Sequence, residues 1–203
     1  MNGAVYLVTD PDAPLPVVNQ VRAAVRGGAT VIQIRDKRAT DTEFAALVTM
    51  LLPELSAGGV TLIVNDRIDV AVATGAHGVH IGQGDGDPVA IRTQLPHGML
   101  LGLSIETVEQ ARRVPAGVDY IGAGPVRATA TKPDHAPPIG FDGLAQIVSA
   151  VRVPTYAIGG LTPADAPRVK AAGAIGMAVV STITRATDPE AATRALIATW
   201  EQA

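Results

Sequence analysis

"RGGATVIQIRDK" occupies residues 26–37. Two glycines stop a helical pattern, and a run rich in β-branched residues follows at once. Gln33, Arg35 and Lys37 alternate at its far end, so they share one face of a strand. The same small turn leading into a strand returns as "ATGAHGVHI" (73–81), "PAGVDYIGA" (115–123) and "AAGAIGMAVV" (171–180). Their glycines, Gly28, Gly75, Gly117 and Gly173, lie 47, 42 and 56 residues apart. Each gap holds about two strand–helix units, so the echo marks every second strand of one repeating architecture.

The remaining strands fall between these marks, at 4–10, 61–66, 99–105 and 154–160. Helical patterns follow each strand, at 14–28, 40–55, 67–75, 88–95, 106–114, 141–151, 162–173 and 188–200. In the second, Thr40 or Asp41 reads as the N-cap with Glu43 in the first turn, and Pro53 reads as an end or a kink. Strict alternation implies parallel strands joined by crossovers. Eight such units predict an α/β protein with a closed (β/α)8 barrel, the TIM-barrel architecture, as a single domain over 1–203. An open doubly wound sheet is the alternative. At 203 residues the chain is short for a barrel, so helices three and four are expected to be brief.

Composition narrows the function. Hydrophobic residues make up 47% but aromatics only 3%, which demands a core of Val, Ile, Leu and Ala and suits buried parallel strands. A net charge of −3 argues against non-specific nucleic-acid binding. The chain has no cysteine, which excludes disulfide and thiolate chemistry. It shows neither a signal-peptide pattern nor an apolar run of about 18 residues. The expectation is a soluble cytoplasmic protein with small-molecule substrates, no nucleic-acid or membrane partner, and homo-oligomer formation left open.

In such a barrel the carboxyl ends of the strands converge on one mouth. Strand one ends in Thr9 and Asp10, strand three in Asn65 and Asp66. Strand four runs through His80 to Gln83 and Asp85, and strand five ends in Ser104. Strand six opens into "GPVRATATKPD" (124–134), and strands seven and eight end in Gly159–Gly160 and Ser181. Arg35, Lys37 and Lys132 supply positive charge for phosphate groups. Asp66 and Asp85 in the same crown imply a hard divalent cation, Mg²⁺, held by carboxylates and phosphate oxygens. The Gly160 loop and Ser181 match the phosphate site that barrels build after strands seven and eight. Each residue also has a plainer reading. Asp66 could cap the next helix, Asp85 could be a turn residue in competition with Asp87, and His80 could be a hydrogen-bonded core group. No nucleophile with a matched base is evident, which favours chemistry by positioning and charge stabilisation.

Taken together and in order, "YLVTD", "GGATVIQIRDK", "LIVNDRIDVA", "GVHIGQGD", "GLSIETVEQA", "DYIGAGPVRATATKPD", "AIGGL" and "AVVST" resemble the thiamine phosphate synthases along nearly the whole chain. That family joins 4-amino-2-methyl-5-hydroxymethylpyrimidine diphosphate to a thiazole phosphate, carboxylated or not, and releases diphosphate. The resemblance implies that Gln33, Ile34, Arg35, Asp36, Lys37 and Asn65 bind the pyrimidine diphosphate, with one Mg²⁺ on Asp66 and Asp85. It places Ser104 and Lys132 on the same substrate, with Arg35, Lys132 and Ser104 in catalytic roles. Thr129, Ala130 and Thr131 would line the thiazole, and Gly160, Val180 and Ser181 would take its phosphate. The implied reaction is dissociative, with diphosphate leaving before the thiazole nitrogen attacks.

The sequence also departs from the family. An aromatic and a proline often stand where this chain has Arg127 and Ala128, and a histidine often stands where it has Glu106. Thiazole tautomerases, which share the resemblance, are thought to use a histidine near that point, so Glu106 weighs against them. A sugar-phosphate epimerase would need paired acid–base groups or a histidine metal set, and neither is seen. A non-catalytic sensor would not need Asp66, Asp85 and Lys132 together. The extra leading helix of some family members is not seen.

Overall fold

The computed structural model describes residues 3–129, 131 and 136–203. Its strands are β1 (Val5–Val8), β2 (Val31–Ile34), β3 (Thr61–Asn65), β4 (Gly78–Ile81), β5 (Leu100–Ile105), β6 (Tyr120–Ala123), β7 (Thr155–Ile158) and β8 (Gly176–Val179). They pair in sequence order, all parallel, and β8 returns to β1 to close the barrel. Closure rules out the open doubly wound sheet. The helices are α1 (Val17–Arg26), α2 (Asp41–Ala57), α3 (Ile68–Thr74), α4 (Pro88–Gln94), α5 (Val108–Arg112), α6 (Gly140–Ala150), α7 (Ala166–Ala171), α8 (Ser181–Thr184) and α9 (Pro189–Gln202). As expected from the chain length, α3 and α4 have only seven residues each.

The four echo glycines have a common cause. Gly28, Gly75, Gly117 and Gly173 all sit at positive φ, from 68° to 101°, where the chain reverses before an even-numbered strand. Residues with a Cβ avoid that region, so the repeated glycine records a repeated backbone turn. Helix α2 begins as its sequence predicts. The Glu43 amide donates to Thr40 Oγ1, and the Glu43 carboxylate accepts from the Thr40 amide at 2.8 Å. Pro53 does not end this helix, which continues to Ala57. Leu51 and Leu55 are buried on either side of it, and that packing outweighs the one backbone bond a proline forfeits. The seventh helical stretch is broken: a 3-10 turn at Pro163–Asp165 precedes α7. Helix α8 is not evident in the sequence, because four residues are too few to show a helical period.

Two apolar layers result. The larger lies between barrel and helices and holds Leu7, Ile32, Ile34, Leu51, Leu62, Val79 and Leu101. The smaller fills the barrel with Tyr6, Val8, Val31, Ile63, Tyr120, Tyr156 and Ala178. All three tyrosines of the chain are in the interior. Tyr156 meets Tyr6 and Tyr120 edge-on, with ring centroids 5.2 and 6.0 Å apart, a favoured geometry for aromatic pairs. Room for the rings comes from glycine at the paired position of the adjacent strand. A Cβ at Gly102 would lie 2.2 Å from Tyr120 Cζ, and one at Gly176 would lie 2.8 Å from Tyr156 Cε1. No helix among the described residues is long and apolar enough to cross a membrane.

Candidate active site at the carboxyl rim

Strand order places the ends of β2, β3 and β4 side by side, and their polar residues meet there. Register pairs Gln33 with Ile63, and Asn65 with His80. Just past β2, Arg35 is half-buried, its backbone amide donating to Thr9 Oγ1 at 3.0 Å. Its guanidinium has no partner among the described residues, so its donors are available to an anion. Lys37 is exposed and forms an ion pair with Asp66.

Asp66 is the only described residue other than glycine at positive φ, 52°. A strained backbone at a strand end marks a position held by its surroundings. It does not cap α3, whose N-cap is Arg67 with no side-chain cap bond. Its amide instead donates to the His80 carbonyl at 2.9 Å, which fixes β3 against β4. The plainer reading of Asp66 therefore fails. The plainer reading of Asp85 holds in part, since its carboxylate accepts from the Gly82 amide at 2.7 Å within the β4–α4 turn. Asp87 is the residue that caps α4, accepting from the Val89 amide at 3.1 Å.

Ile34 and Asp36 differ from what the resemblance implies for them. The Ile34 side chain is fully buried between barrel and helices, because strand alternation turns it away from Gln33. It does not reach the mouth. Asp36 caps its own loop, accepting from the Arg38 and Ala39 amides at 2.8 and 3.1 Å. Arg67, which the sequence reading did not single out, braces this loop from the next strand. It donates to the Asp36 and Ala39 carbonyls at 2.9 and 2.6 Å, pairs with Asp41, and stacks over Phe44 at 4.9 Å.

Gln33, His80 and Ser104 join inside the barrel. Gln33 Nε2 donates to the Tyr6 hydroxyl at 2.7 Å, Tyr6 meets the Tyr120 hydroxyl at 2.9 Å, and Tyr120 meets His80 Nδ1 at 3.1 Å. His80 Nε2 lies 2.9 Å from Ser104 Oγ. Burial pushes the His80 ring down to about 4, against a small opposing pull from Asp85, so it is neutral at physiological pH. Burial pushes the Tyr6 and Tyr120 hydroxyls up, so they stay protonated. His80 is thus a hydrogen-bonded core group. Neither Tyr6 nor Tyr120 was singled out in the sequence, although three tyrosines all lying on strands of an aromatic-poor chain are a signal.

On the opposite side of the mouth the site is mostly backbone. The Val126 and Arg127 amides donate to the Ile158 and Gly159 carbonyls at 2.8 and 3.0 Å, zipping the β6–α6 loop to the end of β7. Thr129 and Thr131 follow on that loop, where the Thr131 amide donates to Thr129 Oγ1 at 3.2 Å. Ala130 and Lys132 lie outside the described residues. Gly160 has φ +62°, and a Cβ there would lie 2.5 Å from the Ala128 carbonyl oxygen and 2.9 Å from Arg127 Cβ. Loop packing alone therefore explains this glycine. The Val180 carbonyl starts α8, accepting from Ile183 and Thr184, and Ser181 is exposed at its first turn. Arg127 donates to Asp165 Oδ1 at 2.7 and 3.2 Å and stacks over Phe141 at 5.3 Å. Arg185 pairs with the buried Asp10 at 2.9 Å, tying the segment after α8 to the end of β1.

Comparison with known proteins agrees with this fold. Residues 5–183 match a family profile described as thiamine monophosphate synthase. A thiamine-phosphate synthase of Roseiflexus sp. (strain RS-1) is 47% identical over 197 residues, covering 96% of this chain and 84% of its own. That of Laribacter hongkongensis is 43% identical over 198 residues, covering 96% and 94%. Among solved structures, a thiamine phosphate pyrophosphorylase from Pyrococcus furiosus superposes with a TM-score of 0.90 at 34% identity, covering 98% of this chain and 96% of that one. A 3-hexulose-6-phosphate synthase, at 20% identity and a TM-score of 0.71, shares the fold. With the profile running from β1 into α8 and relatives matched over most of their length, the chain belongs to the thiamine monophosphate synthase family.

Proposed function

We propose that this transferase condenses 4-amino-2-methyl-5-hydroxymethylpyrimidine diphosphate with a thiazole phosphate, giving thiamine phosphate and diphosphate. The observation that carries the reading is the Lys37–Asp66 ion pair at the ends of neighbouring strands β2 and β3, with the Arg35 guanidinium unpartnered among the described residues and Asp85 following the next strand, β4. Charge of both signs in one crown suits a diphosphate with a cation better than it suits a monophosphate alone.

The residues fit Mg²⁺. Asp66 and Asp85 follow neighbouring strands, and no cluster of three or more His, Cys, Asp or Glu forms a ready cage among the described residues. Two carboxylates without a full cage match an ion that completes its shell with phosphate oxygens and water. Bound there, Mg²⁺ would neutralise charge on the diphosphate. Lys37 would exchange its partner Asp66 for a phosphate oxygen, and Arg35 would add a forked donor. The bond between the pyrimidine's exocyclic carbon and the diphosphate oxygen breaks, its electron pair leaving with the diphosphate. The thiazole nitrogen then supplies the pair for the new C–N bond. Lys132 would face the departing group, while Thr129, Ala130 and Thr131 would seat the thiazole and Gly160, Val180 and Ser181 its phosphate. None of this needs a protein nucleophile.

Product formation from both substrates, with and without Mg²⁺, tests the reading. Thiamine phosphate and diphosphate should appear in equal amounts and depend on the ion. Turnover of a thiazole substrate alone would overturn it in favour of an isomerase.

A further inference from the structure

The five-residue chain inside the barrel has a direction. Gln33 Nε2 gives a proton to the Tyr6 oxygen. Among the described residues the Tyr6 hydroxyl then has one other hydrogen-bond contact, Tyr120, so its own proton goes there. Tyr120 in turn must donate to His80 Nδ1, which therefore carries no proton. With Nδ1 accepting, the ring carries its proton on Nε2 and donates it to Ser104 Oγ. Four contacts are satisfied by four protons, one in each. Reversing any single link leaves one of the four contacts with two protons or with none, a costly defect where Tyr6 and Tyr120 are both at most 2% exposed. The chain can reverse only as a whole, with the Gln33 amide turned over and the His80 proton moved to Nδ1.

We propose that Tyr6, Tyr120 and His80 are positioning residues. They form a one-way hydrogen-bond relay that sets, together, the polarity with which Gln33 and Ser104 meet the ligand. In that direction, Gln33 keeps its carbonyl oxygen to accept, and Ser104 keeps its hydroxyl proton to donate. An amino-substituted pyrimidine has the complementary pair, an amino group that donates and ring nitrogens that accept. The relay thus makes recognition of that ring an all-or-none matter: neither end can change its hydrogen-bond sense without the other. The specificity claim rests on the function proposed above, but the direction of the relay does not.

The test reads the His80 tautomer directly. Protein with ¹⁵N-labelled histidine, without substrate, is examined by long-range ¹H–¹⁵N correlation, with His80 assigned by its loss in His80→Asn. The Nε2–H form is expected, and the Nδ1–H form would overturn the relay whatever the activity. Tyr120→Phe removes the donor to Nδ1. It should mix the two tautomers and raise KM for the pyrimidine diphosphate by about tenfold, the order expected for one buried hydrogen bond unmade. KM for thiazole phosphate should stay within about twofold. An unchanged tautomer and KM in that variant, or an equal rise in both KM values with a lower Tm, would refute the positioning role. If Tyr120→Phe does not fold, the wild-type tautomer still decides. An enzyme that makes no thiamine phosphate yet shows Nε2–H would sink the proposed function and leave the relay standing.

Discussion

The two sides of the barrel mouth are built on different principles. Between β2 and β4 the polar groups are long or charged side chains, and the Lys37–Asp66 pair joins one that is exposed to one that is nearly covered. Such groups exchange partners at low cost, which suits a ligand that arrives with a cation and leaves as an anion. Between β6 and β8 the surface is backbone, drawn tight by Gly159 and Gly160 at φ 102° and 62°. Backbone cannot re-pair without moving the loop. One side is therefore adjustable in charge, and the other is fixed in shape.

The largest effect should come from the adjustable side. Asp66→Asn keeps the volume and tolerates the left-handed backbone, because asparagine is at home there. It removes one charge from the pair with Lys37 and from the proposed Mg²⁺ site. Turnover should fall by roughly 10²–10³, as when one preorganised charge-stabilising group is lost. The melt should move little. Binding of Mn²⁺ in the presence of diphosphate, followed by electron paramagnetic resonance, should weaken in parallel. Full activity at limiting Mg²⁺ would remove Asp66 from the metal site.

A smaller effect, confined to the fixed side, is expected for Gly160→Val. The new Cβ would meet the Ala128 carbonyl oxygen at 2.5 Å, and the branched residue would be strained at φ +62°. Strain of about 1–3 kcal/mol, which is roughly 5- to 150-fold, should appear in KM for thiazole phosphate as the Thr129–Thr131 segment shifts. KM for the pyrimidine diphosphate should hold. If both constants rise together, the two sides are not independent and the comparison fails.

How much of this was legible in the sequence follows the same division. The barrel was readable because its signals are periodic: strand–helix alternation, and a glycine wherever the chain reverses before an even strand. The β2–β4 rim was readable because charged side chains at strand ends stand out in a chain with few of them. Tyr6, Tyr120 and Arg67 were not, since a tyrosine in an apolar run and an arginine after Asp look alike whether they pack or bond. Nor could the sequence separate Asp66 from a helix cap, because that choice rests on one backbone angle. Helix α8 and the 3-10 turn before α7 are too short to carry a period. Gly160 was noted for a place near an anion, while its packing against Ala128 is a contact between loops 32 residues apart.

The smallest expected effect tests how the fixed side is held. Arg127 stands where the family often has an aromatic, and its guanidinium reaches Asp165, whose side chain is only 5% exposed. Burial pushes the Asp165 carboxyl up, but hydrogen bonds from Arg127 and Thr162 outweigh it and hold it below the usual carboxylate range. A carboxyl with a lowered folded-state pKa stabilises the fold above its unfolded value, and that stability is lost as pH falls through the folded one. Arg127→Ala removes one of the two partners and leaves the Thr162 bonds. Because Arg127 itself is half exposed, the cost at neutral pH should be about 1–2 kcal/mol, or roughly 2–6 °C in Tm. As pH is lowered from 7 towards 3, wild type should lose more Tm than the variant, so the two melting curves converge in acid. Arg127→Lys should recover part of the difference, since an ammonium restores charge but not the forked contact. Parallel curves across that range would mean the pair does not anchor the loop, and the stacking of Arg127 on Phe141 would then be the contact that matters.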